Sequence, residues 1–478
     1  MAKQKKSFLK MLKESFSGLP KCEQLDLKRA YQLTDNNVRV SPIEYPIQVN
    51  YGPEGKPLHI YPEKLLREST AVNQDDGFIV FDPKNYYKKI TGFLRLAPGE
   101  KVTLGYNKQN QDDPLSLSLN LNDRQLSITN DDGGLIFTSH DETSGACLAP
   151  LIKAKEVNRI GKWRNAKMKR LHSIFGGPIE KLDTDEALSL IRKVNELMQS
   201  EAYRPRDKKG RLGGVVALPA QLTPFFIGDL HGRVDNLLVV LSQNGFLEEL
   251  KKGRACLIML GDAVHPDEGD LEDMESSILI MDLIFKLKLR FPKQVFYLRG
   301  NHDSFSEELG KQGVPQGLLW EKALVKSRGK RYRDEMKRYY RNLPYLAYSK
   351  NFIACHAAPP VSSVSKEDLI NINHIPKLIH ELTSNRLRSS NKPSGYHKRE
   401  VSRLRKALDL APDTLLIVGH SILSSDETLW ERAGDIENHT VLYGSDSHWV
   451  GVLARIDGEM KALRYPVENL QPLIARIR

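Results

Sequence analysis

Five short segments carry side chains able to hold metal ions: Gly228-Asp229-Leu230-His231-Gly232, Gly261-Asp262, Gly300-Asn301-His302-Asp303, Cys355-His356 and Gly419-His420. In chain order they offer Asp and His two residues apart, a lone Asp, an Asn beside a His, and two further His. Two divalent ions roughly 3.5–4 Å apart can clamp the attacking and leaving oxygens of a phosphoryl transfer. Such a pair needs one bridging carboxylate and neutral nitrogen or oxygen ligands for both ions. Asp229 and His231 return to the same side of a strand end, so both can reach one ion. Asp262 suits the bridge, Asn301 adds an uncharged oxygen, and His356 and His420 suit the second ion. The mixed donor set favours Mn, Fe, Zn or Ni over Ca or Mg, so two divalent ions, Mn first among them, are the expected cofactors. Any one of these segments alone is more often a turn or a hydrogen-bonded core residue. The ordered set carries the expectation.

Each segment follows an apolar run: Thr223–Ile227, Ala255–Leu260, Gln294–Leu298, Phe352–Cys355 and Leu415–Val418. Short continuous apolar runs of this kind read as strands buried on both faces. Helical patterns over Val234–Leu250 and Met274–Leu289 separate them. Alternating strands and helices imply an α/β layered fold whose strand ends share one crevice.

Residues 220–478 resemble the catalytic domain of the phosphoprotein phosphatase family of calcineurin-like metallophosphoesterases. The likeness is carried by Gly228-Asp-Leu-His-Gly232, by Tyr297-Leu-Arg-Gly-Asn-His-Asp303, and by the stretch Leu343–Pro359 around His356. It implies a four-layer α/β/β/α sandwich, two metals, and hydrolysis of a phosphomonoester by activated water. It places Asp229 and His231 on the first ion, Asp262 between the two, and Asn301, His356 and His420 on the second. It makes His302 the general acid.

The second motif departs from the family pattern Gly-Asp-x-Val-Asp-Arg-Gly, because this chain has Gly261-Asp-Ala-Val-His-Pro-Asp-Glu-Gly269. His265 stands where the family has an aspartate that orients the catalytic histidine, which leaves that role open to Asp267 or Asp303. Pro266 stands where the family has a phosphate-gripping arginine. Arg386 is then the expected clamp, Arg388 its neighbouring alternative, and Arg233 and His265 further candidates for touching phosphate. His356-Ala-Ala-Pro359 replaces the usual His-Gly-Gly. The ligands are kept while the substrate preference is left open.

The first 40 residues read as a basic tail or helix, with Lys3–Lys21 interleaving lysines and apolar residues. Residues 41–152 read as an all-β sandwich, with a hairpin signal at Asn130-Asp-Asp-Gly-Gly134. This stretch weakly resembles a forkhead-associated domain, but Tyr106, Asp123 and Leu126 occupy the positions that would read phosphate, so it is expected to bind something else, such as a protein partner, or to pack on the catalytic domain. Residues 153–219 read as a basic helical connector ending in an exposed linker, Arg204–Gly214. The helical insert Glu307–Arg341 has a length suited to a wall beside the cleft, with Tyr332, Tyr339 and Tyr340 either in that wall or packed on the core.

The formal charge of +11 is spread along the chain without a nucleic-acid reader motif. Four scattered cysteines fit a reducing compartment. No apolar run approaches the ~18 residues of a membrane span. The expected location is cytoplasmic, with export as a bacterial effector left open. The leading expectation is a metal-dependent phosphatase acting on phosphoproteins, at Ser/Thr or Tyr. Hydrolysis of nucleotides, dinucleoside polyphosphates or phosphodiesters is the alternative, and a scaffold with a decayed site is the third.

Overall fold

The computed structural model describes residues 22–34, 37–41, 46–51, 56–62, 77–81, 94–96, 98–99, 101–105, 124–131, 134–140, 146–151 and 154–477, the last apart from 244, 358, 390–392, 425–427, 448 and 457–458. They divide into two compact units, residues 1–165 and 166–478.

Among its described residues the first unit holds eleven strands in two sheets. The strands are β1 (Glu23–Leu25), β2 (Tyr31–Leu33), β3 (Asn37–Val40), β4 (Ile47–Tyr51), β5 (Lys56–Pro62), β6 (Phe78–Phe81), β7 (Leu94–Leu96), β8 (Lys101–Gly105), β9 (Arg124–Asp131), β10 (Gly134–Ser139) and β11 (Ala146–Pro150). One sheet runs β1-β3-β10-β9-β8 and the other β2-β11-β4-β5-β6-β7. Every second residue of β10 is buried, the signature of a one-sided core. The expected hairpin is present, with Asp131 pairing Gly134. Strand pairing starts at Glu23, upstream of the expected start at residue 41. Three strands in that segment alternate too briefly for periodicity to expose them. The Lys3–Lys21 segment, Tyr106, Asp123 and the Leu115–Leu121 run lie outside the described residues, while Leu126 is buried.

The second unit is an α/β/β/α sandwich. One sheet is β15-β14-β13-β21-β22 and the other β12-β16-β17-β18-β20-β19. Their strands are β12 (Val215–Ala217), β13 (Thr223–Ile227), β14 (Ala255–Met259), β15 (Val295–Tyr297), β16 (Leu346–Ser349), β17 (Phe352–Cys355), β18 (Leu415–Val418), β19 (Leu429–Glu431), β20 (His439–Leu442), β21 (Trp449–Ile456) and β22 (Glu459–Pro466). Side chains alternate between faces along each strand. Phe226, Ile258, Phe296, Phe352, Ala354 and Ile417 meet between the sheets. Ile353, Cys355, Leu416 and Val418 face outward onto a helical layer. On the other side Phe225 packs on Phe246, ring centroids 4.3 Å apart.

The helices are α1 (Ala154–Phe175), α2 (Thr184–Met198), α3 (Val234–Ser242), α4 (Phe246–Lys251), α5 (Glu275–Arg290), α6 (Gln316–Asn342), α7 (Lys366–Ile370), α8 (Pro376–Ser384), α9 (Lys398–Ala407) and α10 (Gln471–Ala475). None of the described helices is long and apolar enough to cross a membrane. The α6 segment breaks at Gly329, whose φ of +82° a side chain would resist.

Two expectations hold only in part. The Arg204–Gly214 stretch is exposed at Arg206 and Lys208–Arg211 but anchored at both ends, where Arg204 and Leu212–Gly214 are buried. Arg204 is buried, pairs with Glu201 at 3.1 Å and donates to the Gly213 carbonyl at 2.7 Å. Lys288 of α5 pairs with the same Glu201. Its basic composition suggested solvent because the buried acid that neutralises it lies upstream. The insert Glu307–Arg341 is loop up to residue 315; its loop and first helical turn line the cavity through Glu308–Lys311 and Gln316, while Tyr332, Tyr339 and Tyr340 are buried in the core.

Candidate metal centre and cleft

All six expected ligands sit just beyond the C-terminal ends of β13, β14, β15, β17 and β18. Parallel strands bring these ends to one side: β13, β14 and β15 run together, as do β17 and β18. The turns that carry the ligands are strained. His231, Asp262 and His420 have φ of +42°, +50° and +64°, values that non-glycine residues rarely adopt. Neighbouring glycines make room for them. A Cβ on Gly300 would stand 2.0 Å from Asp262 Oδ1, and one on Gly419 would stand 2.4 Å from Asp229 Oδ1.

Two ligand groups share one carboxylate. Asp229, His231 and Asp262 offer atoms that all lie within 4.8 Å of one another, and so do Asp262, His356 and His420. Each carboxylate is steadied by a backbone N–H. His420 N donates to Asp229 Oδ2 at 3.0 Å, and His302 N donates to Asp262 Oδ1 at 2.7 Å. His231 Nδ1 lies 2.9 Å from the His265 carbonyl, and His356 Nδ1 lies 2.9 Å from the Leu260 carbonyl. A carbonyl can only accept, so both Nδ1 atoms carry protons and both Nε2 lone pairs are left for a ligand, the usual outer-shell arrangement of metal-binding histidines.

The donor set fits a cation. Asn301 Oδ1 stands 3.0 Å from His356 Nε2, from His420 Nδ1 and from Asp262 Oδ2. Turning the amide would give these atoms a donor. With oxygen inward, Asn301 Oδ1 joins His356 Nε2, His420 Nδ1 and Asp262 Oδ2 as four converging lone-pair donors, a set that a cation among them would satisfy. Without a metal that cation is a proton. Burial pushes His356 down, but the Asp262 and Asp229 carboxylates outweigh it and raise it to about 9. The burial of Asp262 would raise it, yet His356, His302 and His231 hold it well below the usual carboxylate range. Burial raises Asp229 to about 6.

His302 lines the same cavity of about 460 Å³ as the ligands Asp229, His231, Asp262, Asn301 and His420. Its Nδ1 lies 2.9 Å from Nδ1 of His265, which is wholly buried. His265, with φ of +67°, is held by its own N–H donating to Ser277 Oγ at 2.9 Å. Burial lowers both rings, His302 to about 4 and His265 well below the ordinary imidazole range.

The remaining expected residues separate. Arg386 lines the cavity and donates from Nη1 to the His420 carbonyl at 2.8 Å and Ser421 Oγ at 3.1 Å. Arg233 instead pairs with Glu268 at 2.5 Å, and Arg388 donates to the Gly395 carbonyl at 3.2 Å; neither lines the cavity. His265 is too deeply buried to touch phosphate. Asp303 is buried behind the site, accepting from Gly300 N at 2.8 Å and from Tyr297 Oη at 2.7 Å, so it braces the ligand turns. Asp267 accepts from Tyr443 and from Ser445 Oγ, and does not reach His302. Lys311, Gln316 and Tyr443 also line the cavity, and nothing in their local sequence marks them out.

Residues 223–448 match the family model described as calcineurin-like phosphoesterase. The chain carries a calcineurin-like phosphoesterase domain. A 157-residue stretch is 40% identical to serine/threonine-protein phosphatase rdgC of Drosophila melanogaster, over 31% of this chain and 21% of that protein. A 76-residue stretch is 34% identical to serine/threonine-protein phosphatase PP1-delta of Caenorhabditis elegans, over 16% of this chain and 21% of that one. The chain thus spans about a fifth of each of these relatives. Among solved structures, a protein serine/threonine phosphatase from Saccharomyces cerevisiae aligns at a TM-score of 0.45 and 15% identity, over 60% of this chain and 91% of that one. The phosphoesterase domain holds all six ligand positions, His302 and Arg386 inside its matched limits.

Proposed function

We propose that the phosphoesterase domain is a metal-dependent phosphatase that hydrolyses phosphomonoesters on proteins, at Ser/Thr or Tyr, using two divalent ions with Mn as the first candidate. The observation that carries this reading is the pair of ligand groups sharing Asp262, set in one cavity with Arg386 and His302. Asp229 and His231 would hold one ion, Asn301, His356 and His420 the other, and Asp262 both. Bound there, the ions supply water activation and neutralise phosphoryl charge.

The chain's own groups do the rest. Arg386, anchored through Nη1, holds phosphoryl oxygens with its remaining N–H groups. With Nδ1 occupied by His265, His302 has Nε2 left for the substrate. If His265 donates in that contact, neutral His302 carries its proton on Nε2 and offers it to the leaving oxygen. Ile422 lines the cavity and is 54% exposed, an apolar contact next to the phosphate site for the rest of a peptide. The names of the relatives point to protein substrates in the same direction.

The test is turnover with Mn present, offering phosphotyrosine peptides, phosphoserine/threonine peptides, dinucleoside polyphosphates and a phosphodiester at matched concentration. Phosphopeptides are expected to exceed the others in kcat/KM by about tenfold or more, a difference of about 1.4 kcal/mol in transition-state binding. Preference for the diester or the dinucleoside polyphosphate would overturn the substrate class.

A further inference from the structure

The loop between β15 and α6 brings a second cation to the cavity. Lys311 lines it, half-buried, and its Nζ donates to the Asp267 carbonyl at 2.7 Å. Ser445 Oγ and Tyr443 bind the carboxylate of Asp267, so the ammonium meets a neutral partner there. Among the described residues, no carboxylate oxygen forms an ion pair with Lys311. A half-buried ammonium keeps two further N–H donors when one is used. Without a counter-ion, its charge is available to an anion entering the cavity.

The loop is built to hold that position. Lys311 and Val314 pair as the ends of a tight hairpin, with N–H···O distances of 3.1 and 2.9 Å. The two central residues, Gln312 and Gly313, have φ of +52° and +84°, the pattern of a two-residue type I′ turn. Gln312 accepts left-handed backbone that glutamine disfavours. At the far end of the loop, Gln316 Nε2 donates to the Pro266 carbonyl at 2.7 Å. Lys311 and Gln316 thus fasten the loop to the adjacent Asp267 and Pro266. Arg386 is fastened separately, to the carbonyl of His420.

We propose that Lys311 is a second phosphate-binding cation, which holds the substrate's phosphoryl oxygens together with Arg386. Its ammonium is held beside Pro266, on the Asp267 carbonyl. This rests on the phosphatase reading for its substrate, but the binding of phosphate itself can be measured without turnover.

The experiment compares Lys311→Gln and Lys311→Arg with the natural chain, all loaded with Mn. Glutamine keeps a donor for the Asp267 carbonyl and loses the charge, whereas arginine keeps both. Orthophosphate binding is measured by titration calorimetry, and its inhibition of p-nitrophenyl phosphate hydrolysis gives a second reading. Unchanged melting temperatures establish that the variants fold. Lys311→Gln is expected to weaken orthophosphate binding and raise KM by about tenfold, with a smaller change in kcat, and Lys311→Arg to stay close to the natural chain. Orthophosphate affinity retained in Lys311→Gln would overturn the proposal and leave the lysine a loop anchor. Equal losses in both variants would also overturn it. Failure of the phosphatase reading is a different result: no metal-dependent turnover by the natural chain, whatever the titration shows.

Discussion

His265 and His302 meet through their Nδ1 atoms at 2.9 Å, a contact between two rings where a carboxylate and a ring would more simply serve. One nitrogen must donate and the other accept, so each ring fixes the proton position of the other. His265 Nε2 is buried with no hydrogen-bond partner, so His265 has no alternative contact that would release His302. The contact holds His302, the proposed leaving-group histidine, through a second ring rather than through a carboxylate.

That contact yields a leaving-group test. His302→Asn is expected to lower kcat on an alkyl phosphomonoester by about 10²–10⁴-fold and on p-nitrophenyl phosphate by clearly less, because a good leaving group needs little help from a proton donor. His265→Ala should show the same bias at smaller size with KM preserved, since His265 positions His302 and touches no substrate. Equal losses on both substrates would remove His302 from the leaving-group role.

A second buried histidine makes stability depend on pH. His439 on β20 accepts from Tyr396 Oη at 2.8 Å through Nε2 and faces the Leu416 carbonyl at 3.3 Å through Nδ1. Both contacts suit the neutral ring, and burial lowers its pKa from 6.5 to about 4. The folded value lies below the unfolded one, so the stabilisation is complete above about pH 6.5 and is lost as pH falls toward 4. The full loss amounts to roughly 3–4 kcal/mol. Denaturant unfolding of the natural chain and of His439→Gln at pH 7 and pH 4 checks it. The natural chain should lose more stability by roughly this amount, and parallel losses would count against the assignment.

The phosphoesterase domain was legible in the residues because its ligands are short motifs tied to strand ends. Asp229, Asp262 and His356 each follow a run that β-pairing buries, so type and position could be inferred together. The partners of those ligands were not legible. His265 and His302 are 37 residues apart, and their contact depends on a left-handed turn at His265 that no local pattern announces. Lys311 reaches the cavity only because Gln312 and Gly313 reverse the chain there and Asp267 offers a carbonyl. Arg204 looked like linker because its charge was visible and its burial against Glu201 was not. The brief strands β1 to β3 were missed for a related reason: three or four residues are too few for alternation to stand out from coil.

The central claim is that the two ligand groups sharing Asp262 hold two ions that phosphoester hydrolysis requires. Elemental analysis of Mn after exhaustive dialysis tests it most directly, on the natural chain and on Asp262→Asn, with p-nitrophenyl phosphate turnover measured on the same samples. The expected result is close to two ions per chain with turnover that a chelator abolishes, and fewer ions with no turnover in Asp262→Asn, while both proteins remain folded by circular dichroism. Full turnover in the metal-free chain, or an Asp262→Asn variant with undiminished metal content and activity, would contradict it.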